Sequence, residues 1–207
     1  MLRLYLTRHG ETEWNVEKRM QGWLDSNLTK EGIEAAKALG ERLQPVTFQA
    51  IYTSPSERTK QTARLILEKK QNKTFEIDER LREINLGKWQ GKTHEEIKEL
   101  YPGQYAAYFQ SPHLYNQDDG ETFTDVQKRA VSFMNEIIEK HQTGNILVIS
   151  HGIWLKSLLN YIKNESLANF WNGSFLHGTA LSVVKVKNMQ YYTLEMEGCT
   201  QHLLVNN

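Results

Sequence analysis

Ile146-Leu147-Val148-Ile149-Ser150-His151-Gly152 decides how this chain folds. An unbroken apolar run of this length suits a central strand covered on both faces, as in a parallel sheet. The run stops at a His-Gly pair. Leu2 to Thr7 also reads as a strand, and it stops at Arg8-His9-Gly10, where glycine permits a sharp change of direction. In open α/β sheets ligands collect at the carboxyl ends of the strands, so the residues that follow these two runs are the first candidates for chemistry.

Helical patterns flank both strands. Thr29 is placed to N-cap a helix whose apolar face is Ile33, Ala36, Leu39 and Leu43, and Pro45 ends it. Phe48 to Thr53 reads as a further strand. Ser54-Pro55-Ser56-Glu57 then offers serine at N-cap, proline at N1 and glutamate at N3 of another helix. Phe123, Val126, Ala130, Phe133 and Ile137 recur at helical spacing up to a stop near Gly144, and Ile153 to Ile162 follows the central strand as a helix. Leu181 to Val186 and Tyr191 to Met196 read as closing strands. Residues 101–120, with Pro102, Gly103, Pro112 and Gly120 among aromatics, read as an irregular excursion, a lid or an insertion. Strands alternating with helices imply an α/β domain with a mostly parallel sheet.

A length of 207 residues suits one domain, residues 1–207. Its 25 basic and 25 acidic side chains balance, so no global field points to nucleic acid or membrane, and an anionic ligand must be held by particular arginines. No run approaches the roughly 20 apolar residues that span a bilayer. The N-terminal apolar stretch is too short for a signal peptide. Cys199 is the single cysteine, which leaves no internal disulfide or cysteine-rich metal site and fits a reducing, cytoplasmic setting. No feature isolates an interface, so the oligomeric state is not readable.

Three strand ends carry residues with one purpose in common: Arg8 and His9, Arg58, and His151. Guanidinium forks bind phosphoryl oxygens, and a neutral imidazole can attack phosphorus. Arg58 falls in the first turn of a helix, where the macrodipole disfavours a cation. An anion bound at that terminus resolves the conflict; pairing with Glu57 or exposure to water is the competing reading. Of the other histidines, His94, His113, His141 and His202 are expected to be exposed, and His177 to lie near the pocket or be buried and satisfied.

Leu6-Thr7-Arg8-His9-Gly10-Glu11-Thr12 with Asn15 resembles the signature of the histidine phosphatase superfamily, the phosphoglycerate mutase-like branch one. Gln21-Gly22-Trp23 with Asp25 and Leu28-Thr29, the segment Ser54 to Ala63, and Ser150-His151-Gly152 agree in order and spacing. Asn27 departs from the proline that many relatives carry. The resemblance implies a three-layer α/β/α sandwich with a mostly parallel mixed sheet. It implies that His9 is the nucleophile, that Arg8, Arg58 and His151 hold the phosphoryl oxygens with Asn15 in the same pocket, and that Glu83 is the general acid, with neither metal nor cofactor. The implied partner is a small phosphorylated metabolite.

Mutases of this family typically carry Glu-Arg-His-Tyr-Gly around the acid. Glu83-Ile84-Asn85-Leu86-Gly87 instead resembles the phosphatase branch, which favours hydrolysis over isomerisation. A non-catalytic phosphoryl-ligand or protein-binding module is disfavoured, because every element of the chemistry is present. Trp23, Trp89, Tyr101, Tyr105, Tyr108, Phe109 and Tyr115 read either as core or as a wall beside the phosphate site.

Overall fold

The computed structural model describes residues 1–71, 74–173, 175–188 and 191–204. Strand β1 (Leu2–Arg8) leads into a short helix α1 (Glu13–Val16), then α2 (Lys30–Arg42), β2 (Ala50–Thr53), α3 (Glu57–Ile66) and β3 (Glu76–Ile77). Next come α4 (His94–Leu100), α5 (Pro102–Gln110), α6 (Phe123–Lys140), β4 (Gly144–Ser150), α7 (Gly152–Ile162), β5 (Leu181–Asn188) and β6 (Tyr191–Cys199). The sheet order is β3-β2-β4-β1-β5-β6. β3, β2, β4 and β1 run parallel, β5 runs antiparallel to β1, and β6 antiparallel to β5, so the sheet is mixed as expected.

Alternation along the strands builds two cores. Leu2, Leu4, Leu6, Ile146, Val148 and Val184 face α6 and α7, while Ile51, Leu147, Ile149, Leu181 and Val183 face α2 and α3. β4 is therefore covered on both sides, which is why its sequence shows no polar alternation. α6 contributes Phe123, Val126, Ala130, Phe133 and Ile137, the residues whose spacing predicts it. Helices on both faces give the three-layer α/β/α arrangement.

Local signals are mostly obeyed, with corrections. Thr29 caps α2 by accepting from Gly32 N–H at 2.9 Å. α3 starts later than its serine-proline signal suggests: the N-cap is Ser56, and Ser54 is committed elsewhere. β2 begins at Ala50 rather than Phe48. Residues 101–120 are not wholly irregular, because Pro102 opens α5 at a position where its missing N–H has no partner to lose. Gly10 has no positive φ; its need for glycine is a close approach, since a Cβ there would lie 2.6 Å from the carbonyl oxygen of Gly32. The N-terminus of α2 is thereby packed against the turn that follows β1.

Candidate active site

The register of the parallel pair sets the site. Arg8 lies opposite Ser150, so His9 and His151 leave neighbouring strand ends together. β1 and β4 are also where the chain reverses its progress across the sheet, going first to β2 and β3 and later to β5. His9 N–H donates to Ser150 O at 3.0 Å, and the two imidazole centroids are 5.3 Å apart.

His9 Nδ1 lies 2.7 Å from Gly10 O. A carbonyl oxygen only accepts, so Nδ1 carries the proton and Nε2 keeps its lone pair. Burial, reinforced by the positive charges of Arg58 and Arg8, pushes the His9 pKa well below the ordinary histidine value. A neutral imidazole with an open Nε2 is what attack on phosphorus requires.

Arg58 is 2% exposed and its guanidinium is almost entirely built into the protein. Nη1 donates to Leu24 O at 2.7 Å and to Asp25 Oδ1 at 2.8 Å, and Nη2 donates to Gly22 O at 2.8 Å. The Asp25 carboxylate also accepts from Glu57 N–H at 2.6 Å and from Arg58 N–H at 3.3 Å. Asp25 is thus the anion at the α3 N-terminus, and it resolves the dipole conflict from within the chain. Glu57 pairs instead with Lys60 and Arg64.

His151 is fully buried. Arg58 Nη2 donates to its Nδ1 at 3.1 Å, which leaves the proton on Nε2 to be donated to Ser54 Oγ at 2.8 Å. Its pKa is also pushed well down, by burial first and then by Arg58. Arg8 Nη1 donates to Leu176 O at 2.9 Å. Among the described residues, the buried Nε atoms of Arg8 and Arg58 have no hydrogen-bond partner.

Glu83 reaches the N-terminus of α7. Its Oε1 accepts from the N–H groups of Ile84 (2.9 Å) and Trp154 (3.2 Å), and its Oε2 from that of Ile153 (3.1 Å). Asn15 Oδ1 accepts from Thr12 N–H at 3.1 Å in a capping box, which leaves its amide N–H groups as donors.

Arg8, His9, Asn15, Arg58 and Glu83 line one cavity of about 640 Å³. His151 lies behind it, against Arg58. Trp14, Tyr105, Tyr108, Phe109, Trp171 and Phe175 add an aromatic wall, whereas Trp89 and Tyr115 belong to the core. His177 is exposed and lines the cavity. His113 is exposed as expected, but His94 and His141 are half-buried against Tyr105 and Tyr52, and His202 is buried against Thr179. Nothing in the spacing of Trp14, Trp171 and Phe175 marks them as cavity residues, and the sequence places Asp25 in a matching segment without its role, which depends on a helix distant in sequence.

The Asp25 contacts give a testable consequence. Asp25→Ala should strip both the helix cap and the Arg58 partner, lowering unfolding free energy by about 1–3 kcal/mol and weakening inhibition by inorganic phosphate. Denaturant midpoints and phosphate inhibition constants measure both. Unchanged values would mean that the pair organises neither.

A buried neutral imidazole beside two guanidiniums, at the switch point of an α/β/α sheet, places the chain among α/β proteins that handle phosphoryl groups. It belongs to the histidine phosphatase superfamily, branch 1, whose family model matches residues 4–197. The chain is 34% identical over 172 residues to phosphoserine phosphatase 1 of Hydrogenobacter thermophilus, covering 83% of this chain and 81% of that protein. It is 33% identical to a probable phosphoglycerate mutase GpmB of Salmonella arizonae, covering 78% and 75%. The solved structure of Bacillus stearothermophilus YhfR superposes with a TM-score of 0.93 at 42% identity, covering 98% of this chain and 100% of that one.

Proposed function

We propose that this protein is a metal-independent phosphatase that hydrolyses small phosphate monoesters by way of a phosphohistidine on His9. The observation that carries the reading is the state of His9: Nδ1 is tied to Gly10 O at 2.7 Å, and the ring lies in a cavity shared with two guanidiniums, with Nε2 of His9 and the buried Nε–H groups of both arginines lacking partners among the described residues. An unpaired buried donor is costly, and phosphoryl oxygens supply the missing acceptors.

In the first step Nε2 attacks phosphorus, the ester P–O bond breaks, and Glu83 gives a proton to the leaving oxygen. In the second step Glu83 takes a proton from water as its oxygen attacks phosphorus, the P–N bond breaks, and phosphate is released with His9 restored. Arg8, Arg58 and the Asn15 amide hold the oxygens as charge redistributes. His151 fixes Arg58 from behind. For it to grip the phosphoryl group directly, its Nδ1 must release the Arg58 N–H and take up a proton.

Relatives named for phosphoserine make that ester the first substrate to test, within a screen of small monoesters. The aromatic wall, to which Tyr105, Tyr108 and Phe109 bring part of residues 101–120, receives the leaving group. In this reading residues 1–207 act as one domain in the cytoplasm; among the described residues no helix is long and apolar enough to cross a membrane. The mutase reading is carried by the GpmB relative, and product analysis decides it: a mutase returns an isomer, a phosphatase releases phosphate.

Positive charge at the cavity comes from arginine and lysine side chains, Arg8 and Arg58 foremost, and among the described residues no three His, Cys, Asp or Glu side chains converge to hold a metal ion. Phosphate release is therefore expected to continue unchanged in excess chelator. A large loss restored by magnesium or zinc contradicts the mechanism.

A further inference from the structure

Residues 82–86, which carry Glu83, have no regular secondary structure between the 3₁₀ turns Glu79–Leu81 and Gly87–Trp89. Carbonyls in such a stretch have no helix or strand partner, so each needs an outside donor. One side chain supplies two of these five, Arg82 O and Glu83 O, and reaches Arg80 O just before the stretch. Arg129, on α6, donates through Nη1 to Arg80 O at 2.8 Å and to Arg82 O, and through Nη2 to Glu83 O at 2.9 Å. Its guanidinium is held in turn by Glu121, with Nε 2.9 Å from Oε1 and Nη2 3.0 Å from Oε2. Glu121 reaches back to the same stretch, because Oε2 accepts from Asn85 N–H at 2.8 Å and its own N–H donates to Asn85 O at 2.8 Å.

Both side chains are largely shielded, at 16% and 21% exposure, and neither lines the cavity. The pair grips the backbone on both sides of Glu83 and touches its carbonyl, while the Glu83 carboxylate is fixed separately by the α7 N-terminus. The planar guanidinium fork suits this task, since it binds three carbonyls and a carboxylate at fixed angles. An arginine used only for stability has no need to converge on the residue that bears the acid.

We infer that the Arg129–Glu121 pair is a positioning device for the general acid, setting the Glu83 carboxyl against the leaving oxygen. The inference rests on the reading of Glu83 as that acid. Arg129 acts through Glu83, so its loss should tell only where a proton must be delivered. A misplaced catalytic group costs on the order of 10²-fold. Arg129→Met should lower kcat for β-glycerophosphate by about that factor, with KM and the inhibition constant for inorganic phosphate little changed. p-Nitrophenyl phosphate, whose leaving oxygen needs little protonation, should be nearly spared.

The same substrate pair is measured in Glu83→Gln and in the double variant. If Arg129 works through Glu83, the double variant shows no more selective loss than Glu83→Gln alone. Equal losses on both esters in Arg129→Met, or an added selective loss in the double variant, would overturn the inference while leaving Glu83 as the acid. No selectivity in Glu83→Gln itself would sink the reading beneath it. Should Arg129→Met fail to fold, Glu121→Gln takes its place, since the amide oxygen can keep the Asn85 contact while the charge holding Arg129 is gone. It must show selectivity of the same sense, and an unselective loss overturns the positioning role.

Discussion

His9→Ala is expected to abolish both turnover and the covalent label. After rapid alkaline quenching during turnover, the wild-type peptide containing His9 should carry one phosphoryl group, stable in base and lost in acid, as a P–N bond requires. The geometry says which atom bears it: Nδ1 is occupied by Gly10 O at 2.7 Å, so the phosphoryl group belongs on Nε2. His151 cannot substitute, because both of its nitrogens are engaged, at 3.1 Å by Arg58 and at 2.8 Å by Ser54. Since burial and two guanidiniums hold the His9 pKa well down, the nucleophile stays unprotonated as pH falls below the ordinary histidine range. Labelling of His9 should therefore persist in mildly acidic buffer. A label on His151, or near-normal turnover by a folded His9→Ala protein, would show the roles to be wrongly assigned.

Periodicity made the sheet legible because β4 and its flanking helices bury whole faces, and burial writes itself into sequence as aliphatic runs and helical stripes. The strand ends then follow, since parallel neighbours in register deliver Arg8 and Ser150 side by side. What periodicity could not show are pairings between distant polar residues. Ser54 looks like an N-cap because serine before proline usually is one, yet His151 claims its hydroxyl and the helix starts at Ser56 instead. His202 sits in polar sequence but is buried where the turn after β6 meets Thr179. Residues 101–120 read as irregular although α5 forms there, because a proline marks a helix start as well as it marks a loop. Arg129 left a faint signal: it falls three residues after Val126 and four before Phe133, on the buried stripe of α6. A cation on an apolar stripe calls for partners, but the stripe cannot say that they are carbonyls beside Glu83.

Glu83→Gln is expected to slow esters with poor leaving groups by about 10²–10⁴-fold, the range for loss of a positioned acid. Glutamine keeps the length and one acceptor oxygen but has no proton to give. The carboxylate uses both oxygens, Oε1 for Ile84 and Trp154 and Oε2 for Ile153, so the amide leaves at least one N–H of the α7 start without its partner. That structural cost is about 1 kcal/mol, too little to explain a loss of several powers of ten. Phosphate binding should survive, because Arg8, Arg58 and Asn15 are untouched. Activated aryl phosphates should suffer much less than alkyl esters, and the ratio of the two losses isolates proton delivery from any damage to the pocket. Equal losses would require another acid. Glu79 is a poor candidate, since it pairs with Arg82 at 2.5 Å and stays 71% exposed outside the cavity. Glu11 lines the cavity, and among the described residues its carboxylate is held only by the Thr29 hydroxyl at 3.1 Å, so it would be the next residue to replace.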